Sequence, residues 1–479
     1  MRNGGHPDLR IILQSLGMVF IVIGILAVAP LLVAAYYNEA LAPFFLVSVL
    51  PLVLGISTVT LLKEEAELQV KHATIAAALT YLLAALLGSL PFMYYGMGFL
   101  DSFFEAMSGW TTTGLTMIAD VEAMPRSILF WRSYMQWLGG IGVIVLMLVV
   151  LAGAGTAASK LYQAEARKDR LKPRLLTTVR LIWWIYLLYT LAGILLYYLA
   201  GMGVFDAVNH TMAALSTGGF STKNANIQGF NSLGIEIVSI FLMLLGATNF
   251  LVHYKVLTGQ RGAFLRDMEA RTLYAIAIAG GLALSLKIPG LRHSIFQSVS
   301  SLTTTGFSSI DFAQLDSFSK LVMSFLMMIG ASTGSTGGAI KIMRLVIVVY
   351  LILWWVQKTL LPEHAVITKN IGGAEFSDQD LQETVVFFLL YLFIFSFGVL
   401  VFVYLGYPAI DSIFEVASAQ GDVGLSVGLT RTALHPLGKL LLIFDMWIGR
   451  LEIIPVLVLA QALLGFRPRL LKSREEQGW

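Results

Sequence analysis

The chain has no cysteine, which excludes disulfides, thiol catalysis and thiolate metal sites. Charge is scarce: Asp, Glu, Lys and Arg make up 13% of 479 residues, against 57% hydrophobic residues. The mean hydropathy is +0.78. No polar stretch is long enough for a separate soluble domain. Such a composition excludes an ordinary soluble protein and indicates a polytopic membrane protein in a lipid bilayer. A net charge of +3 is too small to argue for a nucleic-acid partner. There is no P-loop and no HExxH, so neither an enzymatic activity nor a cofactor in this chain is expected. His210 and His293 read as hydrogen-bonding or capping residues rather than metal ligands.

What the chain does have is one loop, four times. The segments Asp101–Thr116, Asp206–Ser221, His293–Ser308 and Asp411–Ser426 align on Gly114, Gly219, Gly306 and Gly424. In each, a short helical pattern runs into a small, hydroxyl-rich turn. Thr112-Thr113-Gly114, Thr217-Gly218-Gly219 and Thr304-Thr305-Gly306 are close copies, and Asp422-Val423-Gly424 is the outlier. Glycine permits a left-handed backbone cheaply, and inward carbonyls can replace the hydration shell of a small cation. Helix capping and small-residue packing are the plain alternative. Four loops in register argue instead for a ring around an axis, with these residues as an ion-binding filter.

The remaining sequence divides into a long apolar span, the short helix and loop, and a second span, four times over. The spans are Ala73–Tyr95 and Ser127–Ala152, Leu181–Ala200 and Ser232–Leu257, Thr272–Ile288 and Phe318–Trp355, and Thr384–Leu405 and Leu437–Leu464. Two earlier runs, Ile11–Tyr36 and Ala42–Leu62, read as a retained hairpin rather than a signal peptide. The expected fold is an all-α polytopic membrane protein of four covalently linked span–pore helix–span repeats around a central pore, plus the hairpin. The expected boundaries are 1–72 for the hairpin, 73–152, 153–257 and 258–357 for three repeats, and 358–479 for the fourth repeat and tail. About ten helical residues reach only ~15 Å, so the short helices must re-enter.

Basic residues fix the orientation. Lys160, Arg167, Lys168, Arg170, Lys172, Arg174 and Arg180, then Lys255, Arg261, Arg266 and Arg271, then Arg467, Arg469, Lys472 and Arg474 all fall on one side. That side is expected to be cytoplasmic, with both termini inside and the four loops open outward. Asp101, Asp206 and Asp411 would lie on the outer side, as helix caps or as cation attractors.

Two features sit below the loops. The third unit's last span is interrupted by Gly334-Ser335-Thr336-Gly337-Gly338, followed by Lys341. Non-helical backbone at membrane depth needs a cavity or protein cover, and a movable gate beneath the filter fits. Arg450 lies within the fourth unit's last span, where an ionised side chain marks function. It could bar cations or hold the loop by its carbonyls. Glu452, two residues on, does not share its helix face. Lys341 reads as a residue that snorkels to the cytoplasmic end.

Together, the four loops, Gly334–Lys341, and Gly449-Arg450-Leu451-Glu452 with Ile453-Ile454-Pro455 make the chain resemble the Trk/Ktr/HKT superfamily of potassium transporters over nearly its whole length. Its leading hairpin is similar to the TrkH type. The resemblance implies potassium at the filter, the glycine-rich break as an intramembrane gating loop and Arg450 approaching it. It also implies a homodimer in the cytoplasmic membrane and a cytoplasmic TrkA-like regulatory ring that binds the nucleotide, NAD or ATP/ADP. A glycine at 114, where sodium-preferring relatives can carry serine, favours potassium. Asp422 departs from the commoner Asn or Thr and could strengthen cation attraction or weaken discrimination. The expected function is potassium uptake by gated, channel-like permeation driven by membrane potential. The alternatives are alternating-access symport with H⁺ or Na⁺, for which no clear acidic relay is visible, and a less selective monovalent cation channel.

Overall fold

The structure, a computed structural model, describes residues 7–62, 70–153, 175–312, 315–362 and 368–464. The basic connection at 154–174 and the tail at 465–479 lie outside the described residues. The described chain is helical except for loops and one small hairpin, Asn370–Ile371 against Ala374–Glu375. Among the described residues six helices are long and apolar enough to cross a membrane by themselves, or seven with one bent pair. Of the other expected spans, Ser127–Ala152 is one continuous helix, Arg126–Gly153, Thr272–Ile288 falls on Met268–Ser285, and the remaining second spans are broken.

Pro7–Leu26, continued by Val28–Tyr36, and Ala42–Leu61 form the leading hairpin. Its contact is built from glycine. A Cβ on Gly55 would come within 2.5 Å of the Gly17 carbonyl and 2.8 Å of Ile21, so the two backbones touch. The Ser48 hydroxyl donates to the Gly24 carbonyl at 2.7 Å across the same seam. The hairpin leaves much apolar surface outside, such as Val22, Leu32 and Val53. Lys71–Tyr94, by contrast, is two-thirds buried, since it sits between the hairpin and the centre.

Four units follow, each with a 12-residue lead-in helix: Phe99–Trp110, Val204–Leu215, Leu291–Leu302 and Ala409–Gln420. At 1.5 Å per residue each reaches about 18 Å, far short of a crossing. The helix starts are Gly98, Gly203, Gly290 and Pro408, none with a side-chain cap. Asp101, Asp206 and Asp411 are therefore not caps. They lie within the first turn, at the third helical position, Asp206 accepting from the Thr222 hydroxyl at 2.6 Å and the other two in ion pairs.

Those ion pairs run round the molecule. Glu122–Lys223 joins units one and two at 2.8 Å, Glu236–Arg292 joins two and three at 2.6 Å, and Asp411–Lys320 joins three and four at 2.7 Å. Asp101–Lys439 closes the circle.

Two expected spans are broken. Ser232–Leu257 is not continuous: Leu233–Ala247 stops, and Phe250–Leu257 leaves at 105°. Asn249 caps the new helix, its side chain accepting from the Leu251 N–H at 2.9 Å. Leu437–Leu464 likewise stops after Arg450 and resumes at Ile454, across positive φ at Glu452 and Ile453. The third unit is interrupted between Ile329 and Ile342, where the glycine run predicts it.

Packing at Gly55 generates a prediction. Gly55→Val should destabilise the hairpin by about 1–3 kcal/mol through forced separation of two backbones, read as a lower midpoint of thermal unfolding in detergent, while Val53→Ala on the outer face should leave it nearly unchanged.

Candidate functional site

Each lead-in helix ends in the same way. The N–H groups of Thr113, Gly218, Thr305 and Val423 reach back to the carbonyls of Ser108, Ala213, Ser300 and Ser418, at 2.8 to 3.0 Å. The residue before each is left-handed: Thr112 (φ 57°), Thr217 (φ 53°), Thr304 (φ 56°) and Asp422 (φ 54°). This is a helix C-terminal motif that normally takes glycine. A β-branched residue there is a genuine outlier, costing roughly 1–3 kcal/mol. Two residues later the backbone is left-handed again, at Gly114, Gly219, Gly306 and Gly424. The fourth loop, odd in sequence, has the same backbone as the rest.

The glycines interlock. A Cβ on Gly114 would fall on the Gly218 carbonyl oxygen, one on Gly219 on that of Thr305, one on Gly306 on that of Val423, and one on Gly424 on that of Thr113. Each loop thus packs its glycine against a carbonyl of the next, and the fourth returns to the first. The ring is closed by four carbonyls from the same position in each loop, with no room for a side chain at any of the four glycines.

Sequence reasoning read His210 as a hydrogen-bonding residue but missed the set it belongs to, which holds the loops from behind. Nine residues before each glycine stand Glu105, His210, Gln297 and Glu415, all buried. Glu105 accepts from the Met117 N–H at 2.8 Å and from Arg132 Nε at 2.7 Å. His210 Nε2 lies 2.9 Å from Ser221 Oγ, Gln297 donates to Ser309 Oγ at 3.1 Å, and Glu415 accepts from Ser426 Oγ at 2.5 Å. A polar residue at the same offset, nine before each glycine, was the available signal. Gln136 was missed too. Its amide fills the space a side chain on Gly218 would take, donating to the Gly218 carbonyl at 2.5 Å and accepting from the Phe220 N–H at 3.1 Å.

Directly beneath lies the interruption of the third unit. The Gly338 N–H donates to Thr304 Oγ1 at 2.9 Å, so a residue strained in the third loop touches it. Thr336 Oγ1 donates to the Leu215 and Gly246 carbonyls at 2.9 Å and lies 3.3 Å from Thr217 Oγ1. A Cβ on Gly338 would come 2.9 Å from Asp422 Oδ2, and one on Gly337 3.1 Å from Thr304 Oγ1. Gly334 and Ser335 complete the segment: the Gly334 carbonyl accepts from the Phe250 N–H at 3.2 Å, and Ser335 Oγ donates to the Ser332 carbonyl at 2.6 Å. The Ser332 and Thr336 N–H groups take the Ala247 and Gly246 carbonyls, at 3.0 and 3.1 Å. These are groups that the broken span of unit two releases, which explains why that span stops where it does.

Two cations hold the segment. Arg450, buried, donates to the Thr336 carbonyl at 2.7 Å and to the Gly139 carbonyl at 2.9 Å. It thus links units three and one from a helix of unit four. Lys341 does not snorkel: it is buried and its Nζ donates to the Gly337 carbonyl. Glu452 pairs with Arg344, which also stacks over Phe387 with 3.9 Å to the ring centroid. Glu269 is a third, unforeseen support. One oxygen, Oε1, accepts from the Thr333 N–H at 3.0 Å and the Met343 N–H at 3.1 Å, on either side of the glycine run. Helix Ile342–Leu360 has no side-chain cap of its own, and Glu269 supplies one from outside.

Buried carboxylates are also present in the bundle. Asp422 Oδ1 accepts from Thr113 Oγ1 at 3.1 Å, while Oδ2 has no protein partner. Asp445, against Gly398, has none for either oxygen, and Thr112 Oγ1 is likewise unpartnered.

Comparison with known proteins places this arrangement. The family TrkH, described as cation transport protein, matches residues 53–274 and 287–465. An uncharacterized cation transporter of Methanocaldococcus jannaschii is 38% identical, over 97% of this chain and 98% of that protein. The Trk system potassium uptake protein TrkG of Escherichia coli is 32% identical over 95% and 98%, and TrkH of Halomonas elongata 31% over 94% and 98%. The crystal structure of the potassium transporter TrkH from Vibrio parahaemolyticus superposes with a TM-score of 0.85 at 29% identity, over 94% of this chain and 98% of that one.

The Glu269 contacts generate a prediction. Glu269→Ala strands two N–H groups, at about 1–3 kcal/mol each if they stay buried. Amide exchange at Thr333 and Met343 should speed up by ten-fold or more, about the factor 1.4 kcal/mol gives, while exchange in Phe99–Trp110 stays the same.

Proposed function

The chain belongs to the TrkH family of cation transport proteins, and from that premise we propose that it takes up potassium by gated, channel-like permeation. The observation that carries the reading is the closed ring of four glycines and four neighbouring carbonyls. A ring of this kind dehydrates a small cation by offering oxygens in place of water. In this reading Thr112, Thr113, Gly114, Thr217, Gly218, Gly219, Thr304, Thr305, Gly306, Asp422, Val423 and Gly424 form the filter. Gly334, Ser335, Thr336, Gly337 and Gly338 form the gate, with Lys341 and Arg450 holding it shut.

The two cations act twice. They tie down carbonyls of the loop, and their charge raises the barrier to a potassium ion leaving the ring. Asp422 offsets part of that charge at the inner lip. Uptake is driven by the membrane potential, at about 2.3 kcal/mol per charge per 100 mV. The basic connections face the cytoplasm, as do both termini, in the cytoplasmic membrane. Two copies form the working dimer, and a TrkA-like ring carrying the nucleotide docks on the basic face. The repeats at 73–152, 153–257, 258–357 and 358–479 are units of one pore, with 1–72 as its outer brace.

Four altered chains test this, by flux in reconstituted vesicles and by growth. Gly306→Ala puts a methyl group on the Val423 carbonyl and should abolish rubidium uptake and rescue of potassium-limited growth at normal expression; full rescue overturns the filter. Arg450→Ala should raise rubidium flux several-fold, and unchanged flux in it and in a chain with Gly334–Gly338 shortened overturns the gate. Asp422→Asn should change the rubidium-to-sodium flux ratio with Gly114 left in place; a ratio equal to wild type removes Asp422 from selectivity.

A further inference from the structure

A cavity of about 510 Å³ opens beside the gating loop, lined by Lys255, Arg266 and Arg271. Glu269 and Met343 also line it, and the hairpin tip Gly372-Gly373 forms a wall with no side chain. Arg266 and Arg271 are exposed. Both carboxylates at the cavity are engaged with backbone. Asp267 caps its helix, accepting from the Ala270 N–H at 2.8 Å, and Glu269 holds the amides of Thr333 and Met343. With Lys255, the guanidinium groups of Arg266 and Arg271 give a cavity of small-molecule size three cationic side chains against two carboxylates. A guanidinium presents a planar fork of donors that matches phosphate oxygens two at a time. Basic pockets at the ends of membrane helices also take phosphate headgroups of lipids.

We infer that this cavity binds a phosphate-bearing anion, free or as a lipid headgroup, and that the gating loop reads its occupancy through Glu269. The binding half stands on the cavity alone; the second half rests on the reading of Gly334–Gly338 as the gate. The coupling follows from one atom. Glu269 Oε1 fastens the chain on both sides of the glycine run. A second negative charge in the cavity makes an ionised Glu269 less favourable there, which weakens both bonds. Occupancy loosens the loop and raises flux. Linkage then requires the reverse: a change that frees the loop from elsewhere must tighten anion binding.

The test uses the full chain in neutral phosphatidylcholine nanodiscs, titrated with inorganic pyrophosphate by calorimetry. In parallel, rubidium flux is measured in vesicles of phosphatidylcholine alone, with pyrophosphate on both faces, or with phosphatidylglycerol included. Arg266→Gln and Arg271→Gln should each weaken pyrophosphate binding by about ten-fold or more, the loss of one charged hydrogen-bonding partner. Both are surface positions, so the fold is retained. Flux should rise with pyrophosphate if the source is free phosphate, or with phosphatidylglycerol if it is the headgroup, and neither rise should appear in the double variant. Arg450→Ala, which does not line the cavity, should bind pyrophosphate more tightly. Pyrophosphate and phosphatidylglycerol both acting on the double variant as on the wild type overturns the site, and binding that leaves wild-type flux unchanged overturns the coupling. If Arg450→Ala and the shortened loop also leave flux unchanged, it is the gate reading that fails, and the titration still decides the site.

Discussion

Everything near the centre depends on one contact made four times, a glycine α-carbon against the carbonyl of the neighbouring loop. Because the contact is cyclic, no loop can shift alone. Moving the third loop away from the second uncovers Gly219, and moving it toward the fourth drives Gly306 into the Val423 carbonyl. Packed surfaces of this kind are stiff and do not deform continuously. The outer ion pairs repeat the same cyclic order, Glu122 to Lys223, Glu236 to Arg292, Asp411 to Lys320 and Asp101 to Lys439. Of the four pairs, Glu122–Lys223 is exposed at both ends, where such a pair is worth little in isolation, while each of the other three has a partner largely withdrawn from solvent. Placed between successive units, they resist the splaying that would open the ring, and Asp101–Lys439 does so across the two units farthest apart in sequence.

The layer below obeys a different constraint. In lipid, every backbone polar group released from a helix must find a partner. Here three second spans stop at nearly one level, after Ala247, Ile329 and Arg450. Their free ends serve one another. Carbonyls of Gly246 and Ala247 take the Thr336 and Ser332 amides, and Arg450 takes the Thr336 carbonyl. The segment between Ile329 and Ile342 is therefore ordered by groups that the other breaks release. It is held by hydrogen bonds and two cations, with Ala331 and Ile340 buried in the apolar core.

The register of this site was legible in the sequence because glycine and hydroxyl residues recur at fixed offsets and the lead-in helices are too short to cross. The interruption at Gly334–Gly338 and the contact that Arg450 makes with it were legible for the same reason: small residues and a charge stand out in apolar spans. Three things were hidden. The break at Thr248-Asn249 lies inside a run apolar enough to read as one span, and what stops it is a partner loop about ninety positions away. The partners of Lys341 and Glu452 depend on where helices end, and a residue past a break, at φ 60° in the case of Glu452, no longer follows helical spacing. Glu269 sits in a first helical turn where an acid is ordinary, and nothing in its own segment tells that it serves another helix.

The strained residues join the two layers. Glycine would cost less at 112, 217, 304 and 422, where all four backbones are left-handed. The side chains kept there do what glycine could not. Thr304 Oγ1 receives the Gly338 N–H, Thr217 Oγ1 meets Thr336, and Asp422 lies against Gly338 while accepting from Thr113. Three of the four thus touch the segment below, and the fourth, Thr112, leaves its hydroxyl without a protein partner. Strain that persists at one register of four loops is held by surrounding contacts, and part of that hold is the lower segment itself. Moving that segment removes the bonds at 304 and 217 first, so the ring and the loop beneath it are not independent parts: the state of one sets the strain carried by the other.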